Sequence, residues 1–201
     1  VKDKVTPDLS AMSDIELVEY QLHSNDWYVR HARTLLQHRQ ASGELNRKVV
    51  HQKLNDMFNT ISEPPKRLRA LWALYVTDGL TENHLYELLN DTDEHVRAWS
   101  IQFLCDVSGT NAFQPERDAD WVLETGTLEK LAAMAKDDPS QVVRLYLASA
   151  VQRLPFAQRW SILQGLVSHV EDVADNNLPR MYWFALEPMV PEYPRESLEL
   201  V

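Results

Sequence analysis

The chain has 201 residues, 44% of them hydrophobic and 25% charged, which is typical of a globular protein that folds in water. Its formal net charge of −10 disfavours nucleic acid as a partner, because binding to phosphate backbones requires clustered Lys and Arg. The single cysteine, Cys105, excludes an internal disulfide and any Cys-x-x-Cys motif, and no apolar run is long enough for a transmembrane helix.

Helices are predicted throughout the first half of the chain. Ser13 and Glu16 have the spacing of a capping box, in which the two residues satisfy each other's backbone N–H groups at a helix start. Apolar residues then recur at helical rather than alternating spacing, and the chain has only five glycines. The predicted helices cover residues 13–23, 26–40, 45–61, 66–76, 81–89 and 93–106.

The second half of the chain is also predicted to be helical, after an interruption. Gly109, Asn111 and Pro115 favour irregular structure, so residues 108–125 are interpreted as an insertion between repeats. Further helices are predicted at residues 128–136, 139–154, 155–170 and 178–189, with a partial helix after Pro194. Because the chain lacks an initial Met and stops in a helix-like segment, we expect a piece excised from a larger protein, with residues 1–12 as a flexible lead-in.

An arginine recurs near the start of every second predicted helix. The intervals run from 28 to 47 residues, and they straddle the spacing of roughly 40–47 residues in HEAT and armadillo repeats. We therefore predict an all-α fold, a right-handed HEAT/armadillo-like α-α superhelix (solenoid) of about five helix pairs forming one domain over residues 1–201. The recurring residues are Arg30, Arg69, Arg97, Arg144 and Arg180.

The recurring arginines are predicted to stabilise the stack of repeats. A helical wheel places Arg97 within the apolar side of its helix, and an inward guanidinium must be paired or hydrogen-bonded. An aspartate lies six residues earlier in two repeats, so we expect Asp91 to pair with Arg97 and Asp138 with Arg144. Arg30 and Arg69 are expected to continue this structural ladder, although Ser24 and Glu63 stand at their corresponding positions.

The same wheel predicts a partner-binding row on the second helix of each pair. Second helices line the concave face of solenoids, where partners bind. The alternative is that these aromatic side chains wedge between neighbouring helices, since aromatic residues serve both cores and interfaces. The candidate row consists of Tyr28, His95, Trp99, Gln102, Tyr146, Arg153 and Tyr182.

Residue patterns for catalysis, metal binding or cofactor binding are absent from the sequence. His31 and His38 share a helix face but form no His-x-x-x-His pair, and the chain has no Gly-x-Ser-x-Gly elbow or glycine-rich phosphate loop. Glu187, before Pro188 in an apolar helix, is the one unusual acid, and we expect it to pair with Arg180 or Arg153, with a catalytic role as the less favoured alternative. The prediction is a non-enzymatic chain without a catalytic residue, metal or cofactor.

Several segments together resemble one known family. Residues 25–33 read Asn-Asp-Trp-Tyr-Val-Arg-His-Ala-Arg, residues 93–99 read Asp-Glu-His-Val-Arg-Ala-Trp, and residues 177–183 read Asn-Leu-Pro-Arg-Met-Tyr-Trp. With residues 67–74, 143–155 and 187–191, they resemble the HEAT-repeat segment of large planctomycete-type bacterial proteins labelled membrane-bound dehydrogenases. The similarity extends from about residue 14 onward and includes no catalytic motif.

The resemblance implies a scaffold between redox domains. In that family, the HEAT segment follows a sugar-dehydrogenase-like β-propeller and precedes a cytochrome-c-type haem domain, and the protein lies outside the cytoplasm or in the periplasm. The expected partners are therefore other domains of the same polypeptide, or another protein, without nucleic acid and without direct membrane insertion. The alternative function is a concave groove that holds a carbohydrate or peptide for a neighbouring enzyme. A free-standing hydrolase or nucleic-acid enzyme is disfavoured by the charge and the missing catalytic cluster.

Overall fold

A computed structural model describes residues 7–106 and 122–200, and all regular structure in these residues is helical. The chain forms two compact units, Val1–Leu80 and Thr81–Val201. Among the described helices, none combines the length and the apolar character that crossing a bilayer requires.

The first unit contains two helix pairs that stack on each other. A 3-10 turn at Leu9–Ala11 precedes them, and a second at Tyr20–Leu22 follows the first helix. The first helices of the two pairs are in contact, and so are the second helices, as in a helical repeat. The helices are α1 (Asp14–Glu19), α2 (Asp26–Ser42), α3 (Arg47–Thr60) and α4 (Pro64–Val76).

The ends of these helices follow from local side-chain chemistry. Ser13 and Glu16 form the predicted capping box at the start of α1. Asn25 caps α2 through its side chain, and α2 ends where Gly43 adopts a left-handed conformation with φ of 76°. Two prolines open α4, where their missing N–H groups cost no intrahelical bond.

The second unit contains three helix pairs and a short final helix. Contacts run from α5 to α6, α7 to α8 and α9 to α10 within pairs, and from α6 to α8, α7 to α9 and α8 to α10 between pairs. The helices are α5 (Glu82–Leu88), α6 (Glu94–Leu104), α7 (Thr125–Asp137), α8 (Gln141–Val151), α9 (Phe156–Val167), α10 (Leu178–Leu186) and α11 (Pro194–Glu199). Five helix pairs therefore occupy the described residues, as the sequence predicts.

Each unit buries its own apolar core between the helix layers. Most of the largest fully buried side chains among the described residues are leucines, and burial of apolar surface supplies the main stabilising free energy. Fully buried members include Leu17, Leu36, Leu54 and Leu71 in the first unit and Ile101, Leu104, Leu131 and Leu147 in the second.

Two predicted irregular segments are only partly described. Within the predicted lead-in at residues 1–12, Leu9 is buried and residues 9–11 form a 3-10 turn capped by Asp8. Of the predicted insertion at 108–125, residues 107–121 lie outside the described part of the chain. Leu123 is buried, its backbone N–H donates to the side-chain oxygen of Gln158, and its carbonyl accepts from the side-chain nitrogen of Gln158. Helix α7 begins at Thr125, three residues earlier than predicted.

Candidate interaction surface

An arginine on α6 connects two consecutive helix pairs of the second unit. Its Nε and Nη2 donate to the two carboxylate oxygens of Asp138 over 2.8 and 2.9 Å, which is a bidentate ion pair. Its Nη1 donates to the backbone carbonyl of Asp91 over 2.8 Å. Arg97 thereby binds the turn before its own helix and the turn before α8, and fixes the two helices relative to each other.

Arg144 repeats this arrangement one pair later, with deeper burial. Its Nε and Nη2 donate to the carboxylate of Asp172 over 2.7 and 2.6 Å, and its Nη1 donates to the carbonyl of Asp138 over 3.1 Å. The side chains of Arg144 and Asp172 are only 2% and 1% exposed. Gln141 and Tyr182 also donate to Asp172, so four hydrogen bonds compensate for burial of the carboxylate.

The predicted pairing within each repeat needs correction. Asp91 and Asp138 do bind the arginine six positions later, but through their backbone carbonyls. The carboxylate that Arg97 or Arg144 binds belongs to the following turn, 41 or 28 residues later. The side chain of Asp138 is positioned for this role by accepting the N–H of Ser140, the residue that caps α8.

Arg30 and Arg69 do not extend this ladder. Arg30 is 74% exposed and pairs with Asp26 one turn earlier in the same helix, so its predicted inward position is wrong. Arg69 reaches back to Asp26 and to the carbonyls of Gln21 and His23. The inward arginine of α2 is Arg33, which lies over the Trp72 ring and whose pKa is lowered by burial.

Protonation of Asp172 should weaken this ladder. Burial raises the pKa of this carboxyl, but the hydrogen bonds from Arg144, Tyr182 and Gln141 outweigh burial, so the pKa lies below its ordinary value. A depressed folded-state pKa stabilises the fold fully above the unfolded value of about 3.9, and that stabilisation is lost as the pH falls through the folded value.

We therefore expect the stability difference between the wild type and Asp172→Asn to be constant above about pH 5 and to shrink below about pH 4. Urea unfolding of both proteins at a series of pH values would measure it. Taking the difference removes the contribution of the other carboxyl groups. A difference that stays constant down to pH 3 would contradict a depressed pKa at Asp172.

The predicted row is partly assembled across α6 and α8. The rings of Trp99 and Tyr146 meet at 5.9 Å between centroids, and Arg153 donates to the side-chain oxygen of Gln102 over 3.2 Å. His95 is exposed, and the other four side chains are half-buried. Burial also raises the pKa of Tyr146, which keeps its hydroxyl protonated. These five residues, His95, Trp99, Gln102, Tyr146 and Arg153, are called the α6/α8 face below.

The packing alternative holds for two of the aromatic residues, whereas partner binding at this row stays a prediction. Trp99 and Tyr146 wedge against each other between neighbouring helices, and Trp99 also contacts the buried Phe103. The same rings keep part of their surface accessible. The face thus combines rigid aromatic area with an exposed imidazole and an amide–guanidinium pair, a composition suited to protein contacts.

Two predicted members of the row do not lie on the α6/α8 face. Tyr182 is a correction, because it is 8% exposed and its hydroxyl donates to Asp172 over 2.6 Å. Burial and that bond raise its pKa, so the hydroxyl remains a donor. Tyr28 belongs to the first unit, where it is half-buried against Trp27 and His23.

Two positioning residues escaped the sequence interpretation. Asp172 lies eight residues before Arg180, whereas the repeat frame pointed to the sixth, Ala174. Arg159 is 7% exposed on α9 and donates to three backbone carbonyls, including that of Ala185 on α10. Nothing in the sequence indicates this role for Arg159, because its partners are backbone carbonyls and no particular partner residue type recurs with it.

Within residues 7–106 and 122–200, no group of three or more His, Cys, Asp or Glu side chains could hold a metal ion. Cys105 is buried. In the second unit, Asp138 and Asp172 bind Arg97 and Arg144, and Asp138 also accepts from the backbone of the cap residue Ser140. These contacts join helices and turns, so the residues have a structural role.

Comparisons with known proteins show the fold. No family model matches the sequence, and no curated protein matches it. Among solved structures, the chain is similar to a designed armadillo repeat protein in complex with the peptide (KR)4, with a TM-score of 0.50 and 14% sequence identity. The match covers 94% of this chain and 88% of the designed protein. The predicted fold class, an all-α armadillo-like helical repeat, is therefore confirmed.

Proposed function

We propose that this chain is a non-catalytic helical-repeat scaffold that binds a protein or peptide across the α6/α8 face. The observation that carries the proposal is the joining of Trp99 to Tyr146 and of Gln102 to Arg153 across two consecutive second helices. Two helices held in register by the Arg97–Asp138 pair present one preorganised surface, which reduces the entropy lost on binding.

The chemistry of this face suits a polypeptide ligand. Partly accessible Trp and Tyr rings supply contact area with little loss of conformational freedom, and interfaces are enriched in them. Gln102 and His95 can exchange hydrogen bonds with a backbone. The designed armadillo protein of similar fold binds the peptide (KR)4, and the net charge of −10 of this chain favours neutral or basic partners over acidic ones.

The resemblance noted from the sequence suggests which protein the partner is. In the planctomycete-type proteins, the HEAT segment lies between a sugar-dehydrogenase-like β-propeller and a cytochrome-c-type domain. We propose that the α6/α8 face docks one of these neighbouring domains, outside the cytoplasm or in the periplasm. The chain then holds two redox domains at a fixed separation and takes no part in the chemistry.

Two binding experiments test this function. Peptides selected on the immobilised chain from a displayed random library would be synthesised and titrated by calorimetry, and the two redox domains, produced separately, would be titrated in the same way. We expect Trp99→Ala and Tyr146→Ala each to weaken binding by roughly 10-fold or more, as central aromatic residues of interfaces do.

Trp27→Ala is the matched control. Trp27 is 58% exposed and lies on α2 of the first unit, so its loss removes an equally large ring away from the proposed face. Unchanged circular dichroism of each variant separates lost binding from lost folding. Ligands that bind Trp99→Ala and Tyr146→Ala as tightly as the wild type would overturn the proposal.

A further inference from the structure

Helix α10 has a second face that nothing in the described chain covers. Leu178, Tyr182, Ala185 and Leu186 point into the second unit and are buried. On the opposite side, Trp183 and Phe184 are 50% and 51% exposed. Arg180 on α10 and Glu187, the residue that ends α10 and still has helical backbone angles, are also exposed. The spacing of i, i+3, i+4 and i+7 places all four side chains in one stripe.

The two charges of this stripe have no partner among the described residues. The expected pairing of Glu187 with Arg180 or Arg153 is not formed, since Arg153 bonds to Gln102. Arg180 and Glu187 are separated by about 10.5 Å of helix rise, with the two rings between them. The charges are also reversed relative to the helix dipole, which favours acids at the N-terminus and bases at the C-terminus.

The order of these four residues is self-complementary. Positions 180 and 187 are symmetric about a midpoint, and positions 183 and 184 are symmetric about the same midpoint. If two α10 helices pair antiparallel about a two-fold axis, each Arg180 faces Glu187 of the other copy, and each Trp183 faces Phe184. Each guanidinium also meets the C-terminal end of the other helix, where a cation is favourable.

We propose that two copies of this chain associate through the exposed stripe of α10, antiparallel about a two-fold axis. Such an interface is isologous, so every favourable contact occurs twice. The partner that satisfies both the charges and the rings in this order is the same stripe on a second copy.

The accessible area indicates a weak dimer. Half of a Trp or Phe side chain amounts to roughly 75–125 Å², well below the ~1,200–2,000 Å² of total area in stable interfaces. We therefore expect a dissociation constant on the order of tens to hundreds of micromolar.

Sedimentation equilibrium of the full 201-residue chain from about 5 to 500 µM would detect such a dimer, because the mass average then rises with concentration. Arg180→Glu and Glu187→Arg should each weaken association by at least roughly 10-fold, since each places two like-charged pairs in the interface. The double variant Arg180→Glu/Glu187→Arg restores opposite charges at both contacts and should recover dimerisation. Recovery of dimerisation in the double variant would show that residue 180 of one copy faces residue 187 of the other.

Two controls keep the test specific. Arg195→Glu changes the net charge as Arg180→Glu does, but it lies on α11, so dimerisation should persist. Trp99→Ala removes a ring from the α6/α8 face and should also leave the dimer intact, which separates this inference from the proposed function. A chain that is monomeric at all concentrations, or a double variant no better than the single ones, would overturn the proposal.

Discussion

Replacing Arg144 by Ala is expected to lower the free energy of unfolding by about 3–5 kcal/mol, because it leaves a buried carboxylate without its cation. The Asp172 carboxylate is 1% exposed and would keep only the hydrogen bonds from Gln141 and Tyr182. The substitution also removes the donor to the Asp138 carbonyl, so the turn before α8 loses an anchor. Chemical denaturation monitored by circular dichroism would measure the loss.

Arg30→Ala is the matched control for this prediction. Arg30 forms an i,i+4 ion pair with Asp26, but it is 74% exposed, and such pairs contribute about 0.3–0.5 kcal/mol. Arg144→Lys keeps the charge but lacks the fork that binds both oxygens of Asp172, so its stability should lie between those of the wild type and Arg144→Ala. Equal unfolding free energies for Arg30→Ala and Arg144→Ala would show that the buried pair does not stabilise the stack.

The arginine frame illustrates what sequence spacing could and could not predict. The six-residue interval correctly predicted that Arg97 and Arg144 each contact the turn before their own helix. That contact is local and depends only on helix and turn geometry. The carboxylate partners lie 41 and 28 residues away, and only the packing of one pair on the next brings them close. Sequence spacing carries no information on that distance when repeat lengths vary.

Errors of a few residues in helix register account for the other misplaced side chains. Arg30 and Arg33 are one turn apart on α2, and both lie in the segment of residues 25–33. Arg33, however, is the one that lies over the Trp72 ring, whereas Arg30 is exposed. On α10, the frame aligned on Arg180 placed Tyr182 on the accessible side. Arg180 is instead exposed, and Tyr182 faces Asp172. Tertiary packing decides between neighbouring positions when both are compatible with an amphipathic helix.

The accessible side of α6 could be predicted from the sequence because α6 has an unambiguous apolar side. Val96, Phe103 and Leu104 are buried together, so the remaining arc had to be accessible. How Trp99 and Tyr146 use that arc was left open by the sequence. The ring contact between consecutive repeats depends on the distance between α6 and α8, which the Arg97–Asp138 pair fixes.

Replacing Gly165 by Ala should destabilise the protein by about 1–3 kcal/mol. The reason is a close approach between two helices, which the sequence of α9 alone does not reveal. In a helix interior, Gly→Ala ordinarily stabilises by up to about 1 kcal/mol. At Gly165, however, a Cβ would lie 2.8 Å from the backbone nitrogen of Lys136 and 2.9 Å from the carbonyl carbon of Ala135. Backbone atoms of α7 cannot rotate away, so α9 would have to separate from α7.

Gly126→Ala provides the matched substitution, because it changes the same atoms on α7 with nothing within 4 Å of the new Cβ. It should leave stability unchanged or raise it by up to about 1 kcal/mol, since Ala restricts the unfolded chain and favours the helix. The sign of the change therefore separates the two glycines, and thermal unfolding of both variants would measure it. A stabilising Gly165→Ala substitution would show that the backbones of α7 and α9 are not in close contact at Gly165.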